Sequence, residues 1–352
     1  MAWSKLKKLP GALLPWYEAS KRDLPWRKTK DPYPVWLSEI MLQQTRVEAV
    51  KSYFHRFLQE IPDIPALASC DDGLLHKLWE GLGYYSRVRN LKKAAQAVVT
   101  EHNGVFPREY AAVRALPGIG DYTAGAICSI CYDMPTPAVD GNVLRVITRL
   151  TEDATPIDQP AFKNRVREEL AAVYPARAGD FTQALMELGA TVCGPNRKPE
   201  CESCPCRGFC GGCLHGTAEK YPVRPEKKGR KLEEMTVFIL SCDGSCALRK
   251  RESTGLLAGL WEFPSATGKM CGEEALPVAE SLGCRPISIS PYPQAIHIFT
   301  HIEWHMTGYR IVCRECAAGL VWITRRELKN HAIPSAFRAF LRALESDRDF
   351  SF

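Results

Sequence analysis

No apolar run in this 352-residue sequence approaches the roughly 18 residues that a membrane-spanning helix needs. The start, Met1-Ala2-Trp3-Ser4-Lys5-Leu6-Lys7-Lys8, has positive charge but no continuous apolar segment or small-residue cleavage site behind it. Membrane and secreted classes are therefore not expected, and an intracellular protein is. Internal repeats and low-complexity stretches are lacking, which speaks against a solenoid or a long disordered tail. Charge of one sign is also scarce: 46 Lys and Arg against 40 Asp and Glu leave a net +6, too little to name a partner. The basic residues do gather, however, between Lys5 and Lys30 and between Lys220 and Lys231, as suits a polyanion. Cysteine, by contrast, is plentiful. Fifteen of them in an intracellular chain point away from a disulfide framework and toward metal or cluster ligation where they are closely spaced.

The length suits two or three domains. Apolar residues recur at helical spacing from Trp36 to Leu58 (Leu37, Ile40, Met41, Val47, Val50, Phe54, Phe57) after Asp31-Pro32-Tyr33-Pro34, which predicts one long amphipathic helix. Similar patterns continue to about residue 190, broken by turns such as Gly81-Leu82-Gly83 and Pro117-Gly118-Ile119-Gly120, so the first half reads as all-α. Residues 219–232 hold six basic residues and two prolines among fourteen and read as a linker. Beyond it, 235–240, 287–290 and 295–312 look like strands, and 273–282 and 336–345 like helices. The expected organisation is a helical domain over 1–215, a basic linker over 216–232 and a smaller α+β domain over 233–352.

Leu116-Pro117-Gly118-Ile119-Gly120-Asp121-Tyr122-Thr123 joins two helical patterns and resembles a helix-hairpin-helix. Gly118 and Gly120 would let the backbone bend and offer bare N–H groups to a phosphate. A structural turn is the plain alternative. Asp140 in Val139-Asp140-Gly141-Asn142-Val143 sits where a helix N-cap falls, and the helix dipole there favours an ionised carboxylate. Glu39 lies among apolar neighbours in Leu37-Ser38-Glu39-Ile40-Met41-Leu42-Gln43-Gln44-Thr45. Burial would raise its pKa and keep it protonated near neutrality. One acid and one anion are the pair that cleaving a glycosidic bond requires. Cys193, Cys201, Cys204 and Cys210 follow a C-x7-C-x2-C-x5-C pattern that suits zinc or an iron-sulfur cluster, which spacing alone does not separate. Cys206 and Cys213 lie close enough to replace one of the four.

These segments, with Trp79-Glu80-Gly81-Leu82-Gly83-Tyr84-Tyr85-Ser86-Arg87 and Gly259-Leu260-Trp261-Glu262-Phe263-Pro264, resemble the helix-hairpin-helix DNA glycosylases and, among them, the MutY family of adenine glycosylases. The resemblance covers nearly the whole chain. It implies a multidomain protein, with an all-α glycosylase core and a C-terminal α+β Nudix-like domain. It implies removal of adenine mispaired with 8-oxoguanine or guanine in double-stranded DNA, as a step of base-excision repair. Glu39 would protonate adenine at N7, Asp140 would stabilise the sugar cation, and Tyr122 and Asn142 would support them. Tyr122 stands where bifunctional relatives such as endonuclease III hold a lysine, so strand cleavage is not expected. Gln183 would help read the flipped base. Gln44, Thr45, Leu82 and Tyr84 match the wedge that enters the duplex, and Phe299, Thr300 and His301 match the loop that faces 8-oxoguanine, with Thr where Ser is usual. The cysteine set would hold a 4Fe-4S cluster, although relatives usually have six residues in the first gap, and Arg197 and Lys198 inside that gap would face phosphates. A monomer is expected, cytoplasmic or nuclear according to its source.

Other functions read less well. Another mismatch or damaged-base glycosylase of the endonuclease III type remains the alternative. A Nudix pyrophosphohydrolase needs several glutamates on one helix to hold magnesium, and Leu276-Pro277-Val278-Ala279-Glu280-Ser281-Leu282-Gly283 keeps only Glu280 of three. A non-enzymatic DNA-binding or redox-sensing iron-sulfur protein would have no use for both Glu39 and Asp140.

Overall fold

The structure, a computed structural model, describes residues 2–225, 229–252 and 254–347. It divides into two compact units, Met1–Ser69 with Arg89–Glu226, and Cys70–Val88 with Lys227–Phe352. Their boundary at 226/227 falls inside the expected linker, whose residues 226–228 lie outside the described ones. The linker expectation needs correcting on its N-terminal side. Ala218 is buried, and the carbonyls of Tyr221 and Val223 accept bonds from Arg149 Nε and the Ile157 N–H, so 218–223 straps the helical unit. The segment 70–88 clusters with the C-terminal unit, a grouping that helical periodicity does not reveal.

The helical unit begins with α1 (Leu9–Ser20), α2 (Pro32–Leu42), α3 (Val47–Glu60) and α4 (Ile64–Ser69). The single helix expected over 36–58 is in fact two, because Gln44 takes a left-handed backbone (φ 60°) that an α-helix cannot carry. Asp31 caps α2 by accepting from Tyr33 N, with Pro32 as its first residue. After α5 (Asp72–Leu78), which lies in the other unit, come α6 (Ser86–Glu101), α7 (Tyr110–Ala115), α8 (Asp121–Tyr132) and α9 (Gly141–Thr151). Then follow α10 (Pro160–Ala171), α11 (Ala178–Thr191) and α12 (Gly211–Leu214). A core of Leu13 and Tyr17 from α1, Val143 and Ile147 from α9, Val166 from α10 and Phe181 and Leu185 from α11 binds these helices together. The hairpin between α7 and α8 forms as expected. Gly118 has φ 77°, and a Cβ there would lie 2.6 Å from Asn90 Cβ, so both backbone conformation and space demand glycine.

The C-terminal unit holds β1 (Lys231–Cys242), β2 (Ser245–Lys250), β3 (Trp261–Glu262), β4 (Ser265–Thr267), α13 (Gly272–Ser281), β5 (Pro286–Ile298), β6 (Ile302–Cys313), β7 (Val321–Thr324), α14 (Arg325–Leu328) and α15 (Arg338–Ser346). The sheet order is β3-β2-β1-β6-β5, with β4 on β1 and β7 on β2. β1 and β6 run parallel, and β5 is antiparallel to β6. Alternation along β1 sorts its two faces. Val237 and Ile239 pack with Phe337, Phe340 and Leu344 on the α15 side, while Phe238 and Leu240 pack with Ala275 and Ala279 of α13. The strand expected over 295–312 is a hairpin: it breaks at 299–301, where Phe299 N–H bonds Ile302 O at 2.8 Å.

One buried charge cluster ties the N-terminal segment to α11. Glu187, fully buried, accepts from Arg22 Nε at 2.7 Å and Arg27 Nη2 at 2.7 Å, and also from the Arg22 backbone. Burial alone would raise its pKa, but the two guanidinium bonds outweigh that and hold it at about 2. Its contribution to stability is therefore present above the ordinary glutamate pKa and is lost as pH falls toward 2. Glu187→Gln should remove it, costing about 3–5 kcal/mol as for other broken buried pairs. Thermal unfolding of the variant should show a lower midpoint at pH 7, with the gap from the parent closing on acidification. A gap that does not change with pH would remove the electrostatic explanation.

Candidate active site

Helices α2, α8, α9 and α11 enclose a cavity of about 630 Å³ lined by Glu39, Tyr122, Asp140, Asn142, Gln183 and Glu187, with Gln44 and Thr45 also on its wall. The four residues expected to carry the chemistry are thus brought together. Glu39 lies on the buried face of α2, its carboxylate accepting from Tyr122 Oη at 2.6 Å. Burial raises Glu39 to about 7 against the pull of that bond; Asp140 raises it further and Arg27 opposes. Tyr122 is itself pushed well above its usual range, by burial first and then by Glu39 and Asp140, so it stays a neutral donor.

Asp140 is the N-cap of α9. Its carboxylate accepts from Val143 N–H at 2.7 Å and from Asn142 Nδ2 at 2.6 Å. Burial pushes its pKa up, while these bonds and the Arg145 guanidinium pull it down. The sequence predicts the favourable N-terminus but not the opposing burial. Between the two acids the negative charge belongs on Asp140, which has the richer set of donors, and the proton on Glu39, which has one.

Several contributors are not evident from motifs. Arg145, three residues after Asn142 on α9 and buried, donates to Asn142 Oδ1 at 2.8 Å, Gly189 O at 2.7 Å and Cys193 O at 2.8 Å. It fixes the far side of the amide that serves Asp140. Gly189 allows this close packing, since a Cβ there would lie 2.6 Å from Asn142 Cβ. Arg22, Arg27 and Glu187 form another wall of the cavity. Glu187 was legible in principle, because it follows Gln183 by one helical turn.

The remaining expected residues divide. Gln44 is exposed and Thr45 half-buried. Gly118 and Gly120 are exposed at the hairpin, and α8 starts without a side-chain cap, leaving first-turn N–H groups for an outside acceptor. Tyr84 is 49% exposed. Leu82 corrects the expectation: it is buried, 6% exposed, and so stands inside its loop and not at its surface. In the C-terminal unit Phe299 folds back onto Trp304 (4.9 Å between ring centroids) and His297, leaving Thr300 and His301 exposed. Tyr84 Oη and Thr300 Oγ1 are 3.0 Å apart, joining two positions that the sequence suggested separately. Arg197 pairs with Glu200 at 3.1 Å.

Comparisons with known proteins agree with this geometry. Residues 37–171 match the HhH-GPD superfamily of base excision DNA repair proteins, and 235–343 match the NUDIX domain. A thermostable thymine-DNA glycosylase superposes with a TM-score of 0.55 at 28% identity, covering 60% of this chain and 98% of that one. Endonuclease III in a trapped covalent complex with DNA shares the fold at a TM-score of 0.50 and 21% identity, covering 61% of this chain and 97% of its own. The helical unit is therefore that of a helix-hairpin-helix base-excision glycosylase. The adenine DNA glycosylase of Rattus norvegicus is 35% identical over 403 residues, spanning 96% of this chain and 78% of the relative. That of Buchnera aphidicola subsp. Acyrthosiphon pisum (strain APS) is 35% identical over 268 residues, spanning 75% of each. The chain belongs to this family, the MutY-type adenine DNA glycosylases, hydrolases of N-glycosyl bonds.

With Glu39, raised to about 7, as the acid and the Asp140 carboxylate as the anion, base release should fall roughly tenfold per unit above that value and fall again in acid as Asp140 takes up a proton. Glu39→Gln and Asp140→Asn should each nearly abolish release while leaving duplex affinity within a few-fold. Single-turnover excision across pH, with binding measured in parallel, tests both statements. Full activity in either variant would overturn the assignment.

Proposed function

We propose that the chain excises adenine placed opposite 8-oxoguanine, or opposite guanine, and does so without cutting the strand. The observation that carries this reading is the single cavity in which the buried Glu39 carboxyl accepts from Tyr122 while Asp140 caps the α9 N-terminus. With adenine flipped into the cavity, Glu39 gives its proton to N7 and the base leaves with the bonding electrons. Asp140 then faces the sugar cation, stabilising it until water adds at C1′. Tyr122 keeps the Glu39 proton directed, and Gln183 on the cavity wall reads the base. No amine stands at position 122, so no Schiff base forms there.

The loop after α11 would hold a 4Fe-4S cluster. Its cysteines fit such a group in chemistry and placement. Cys193, Cys204 and Cys210 pack together against the α1, α9 and α11 core, and the Cys193 thiol accepts from Arg149 at 3.2 Å. Cys201 contacts Cys213 at the edge of an open cavity. When bound the cluster would supply redox-capable iron and a rigid anchor for the loop; hydrolysis of the N-glycosyl bond itself transfers no electrons to or from it. Cys193, Cys201, Cys204 and Cys210 are the proposed ligands, and the purified protein should be brown, with iron and not zinc in the metal analysis.

The partner base would be read by the C-terminal unit. 8-Oxoguanine differs from guanine by an added oxygen and a hydrogen on N7, and Thr300 can both donate and accept. Its exposed place in the hairpin turn, beside Tyr84, supports this role. Adenine should be released from duplexes opposite 8-oxoguanine and guanine, with the abasic strand intact until alkali is added. Changing Phe299, Thr300 and His301 together to alanine should lower the 8-oxoguanine preference roughly tenfold or more, the effect of losing a contact of about 1–3 kcal/mol. Single-turnover rates on the two duplexes give the ratio. If it does not move, the lesion is read elsewhere; if thymine or cytosine is released in place of adenine, the substrate assignment itself fails.

A further inference from the structure

Four thiols gather in the C-terminal unit, none of them belonging to the active site or the cysteine loop. β1 ends at Cys242 and β6 at Cys313, and the parallel register that sets Ser241 beside Val312 brings these ends together. Cys284 lies just before β5, whose Pro286 pairs with Cys313. Cys242, Cys284 and Cys313 are buried in the apolar core beneath α13, each no more than 4% exposed. Cys316, three residues past the end of β6, is exposed. The side chains form two contacting pairs, Cys242 with Cys316 and Cys284 with Cys313.

Ordinary core packing accounts for the buried pair, since cysteine behaves as a small hydrophobe. It does not account for Cys316, an exposed thiol set directly on a buried one. A shared metal ion is not suggested either, because among the described residues no three of these groups converge on one ion position. Two sulfurs in contact, one of them open to solvent, are arranged for a different chemistry.

We propose that Cys242 and Cys316 form a reversible disulfide when the protein meets a two-electron oxidant of the peroxide class. The Cys316 thiolate attacks a peroxide oxygen, the O–O bond breaks, and the departing hydroxide takes up a proton to leave as water. The Cys242 sulfur then attacks the Cys316 sulfenic acid, forming the S–S bond and breaking the S–O bond. The hydroxide released takes the Cys242 proton, so two thiols and one peroxide give one disulfide and two waters. The product ties the loop after β6 to the end of β1. Cys284 and Cys313, shielded from solvent, stay reduced.

The test uses the reduced full-length chain treated with a small molar excess of hydrogen peroxide. It is then alkylated in denaturant and mapped by mass spectrometry without reduction. A linked Cys242–Cys316 peptide should dominate among C-terminal cysteine products and disappear with dithiothreitol. Cys271, also exposed but capping α13, should not be found linked to a second cysteine of its own chain. Closing a loop of this length should raise the unfolding midpoint of the oxidised protein by several degrees, a shift absent in Cys316→Ser, a surface change that leaves the core thiols in place. Cys316 oxidised while Cys242 is still fully alkylated would overturn the proposal. So would a linkage to Cys284 or Cys313, or stoichiometric zinc that is lost in Cys316→Ser.

Discussion

Two carboxylates buried in one cavity are costly to charge together, and the hydrogen bonds around them decide which keeps the proton near neutrality. Glu39 is given one neutral donor, the Tyr122 hydroxyl, and an apolar helix face. Asp140 is given a helix N-terminus and an amide. The same burial acts on both, and the difference in hydrogen bonding decides the outcome. An acid and a better hydrogen-bonded carboxylate thus face one cavity, the pair that the proposed proton transfer and cation stabilisation require.

That asymmetry survives only if the N-terminus of α9 stays in place. Arg145 holds it by bonding Asn142, the Gly189 carbonyl and the Cys193 carbonyl together. The cysteine loop thus connects mechanically to Asp140 through one buried cation, while Arg149 grips the same loop through the carbonyls of Cys193 and Gly194. A loop that becomes loose should disturb the carboxylate without touching it. On the opposite wall, Arg22 and Arg27 share Glu187, which offsets one of their two charges and limits how far Arg27 lowers the proton affinity of Glu39.

The parts of this arrangement that depend on local chemistry were legible in the sequence. Asp140 as an N-cap, Gly118 at a tight hairpin and Glu39 among apolar residues each follow from short-range rules, and the strings around them carry the family resemblance. What was not legible depends on long-range packing. Nothing in the periodicity of 36–58 marks the break at Gln44, because the apolar spacing continues through it. The 295–312 run alternates well enough to hide a turn at 299–301. Leu82, hydrophobic in a glycine-rich loop, gave no sign whether it faces in or out, and the structure buries it. Arg145 and Arg149 look like the polar face of α9, yet both are internal, their charges satisfied by carbonyls far away in sequence.

The two residues held in the left-handed region and expected at the duplex, Gln44 and Tyr84, show what the loops contribute. A non-glycine residue there costs roughly 1–3 kcal/mol when nothing compensates, and both occur in short connections whose neighbours are pinned. Around Tyr84 the carbonyl of Gly83 accepts from Trp79 Nε1 and Arg87, and Arg87 also bonds the Leu82 carbonyl. The Arg87 guanidinium lies 5.3 Å from the buried Trp79 ring and 5.7 Å from that of Tyr84. The loop backbone is thereby fixed while the Tyr84 ring projects to the surface, with its hydroxyl on Thr300. A tyrosine whose hydroxyl and ring are already engaged has less rotamer freedom left to lose in any later contact than a freely moving one.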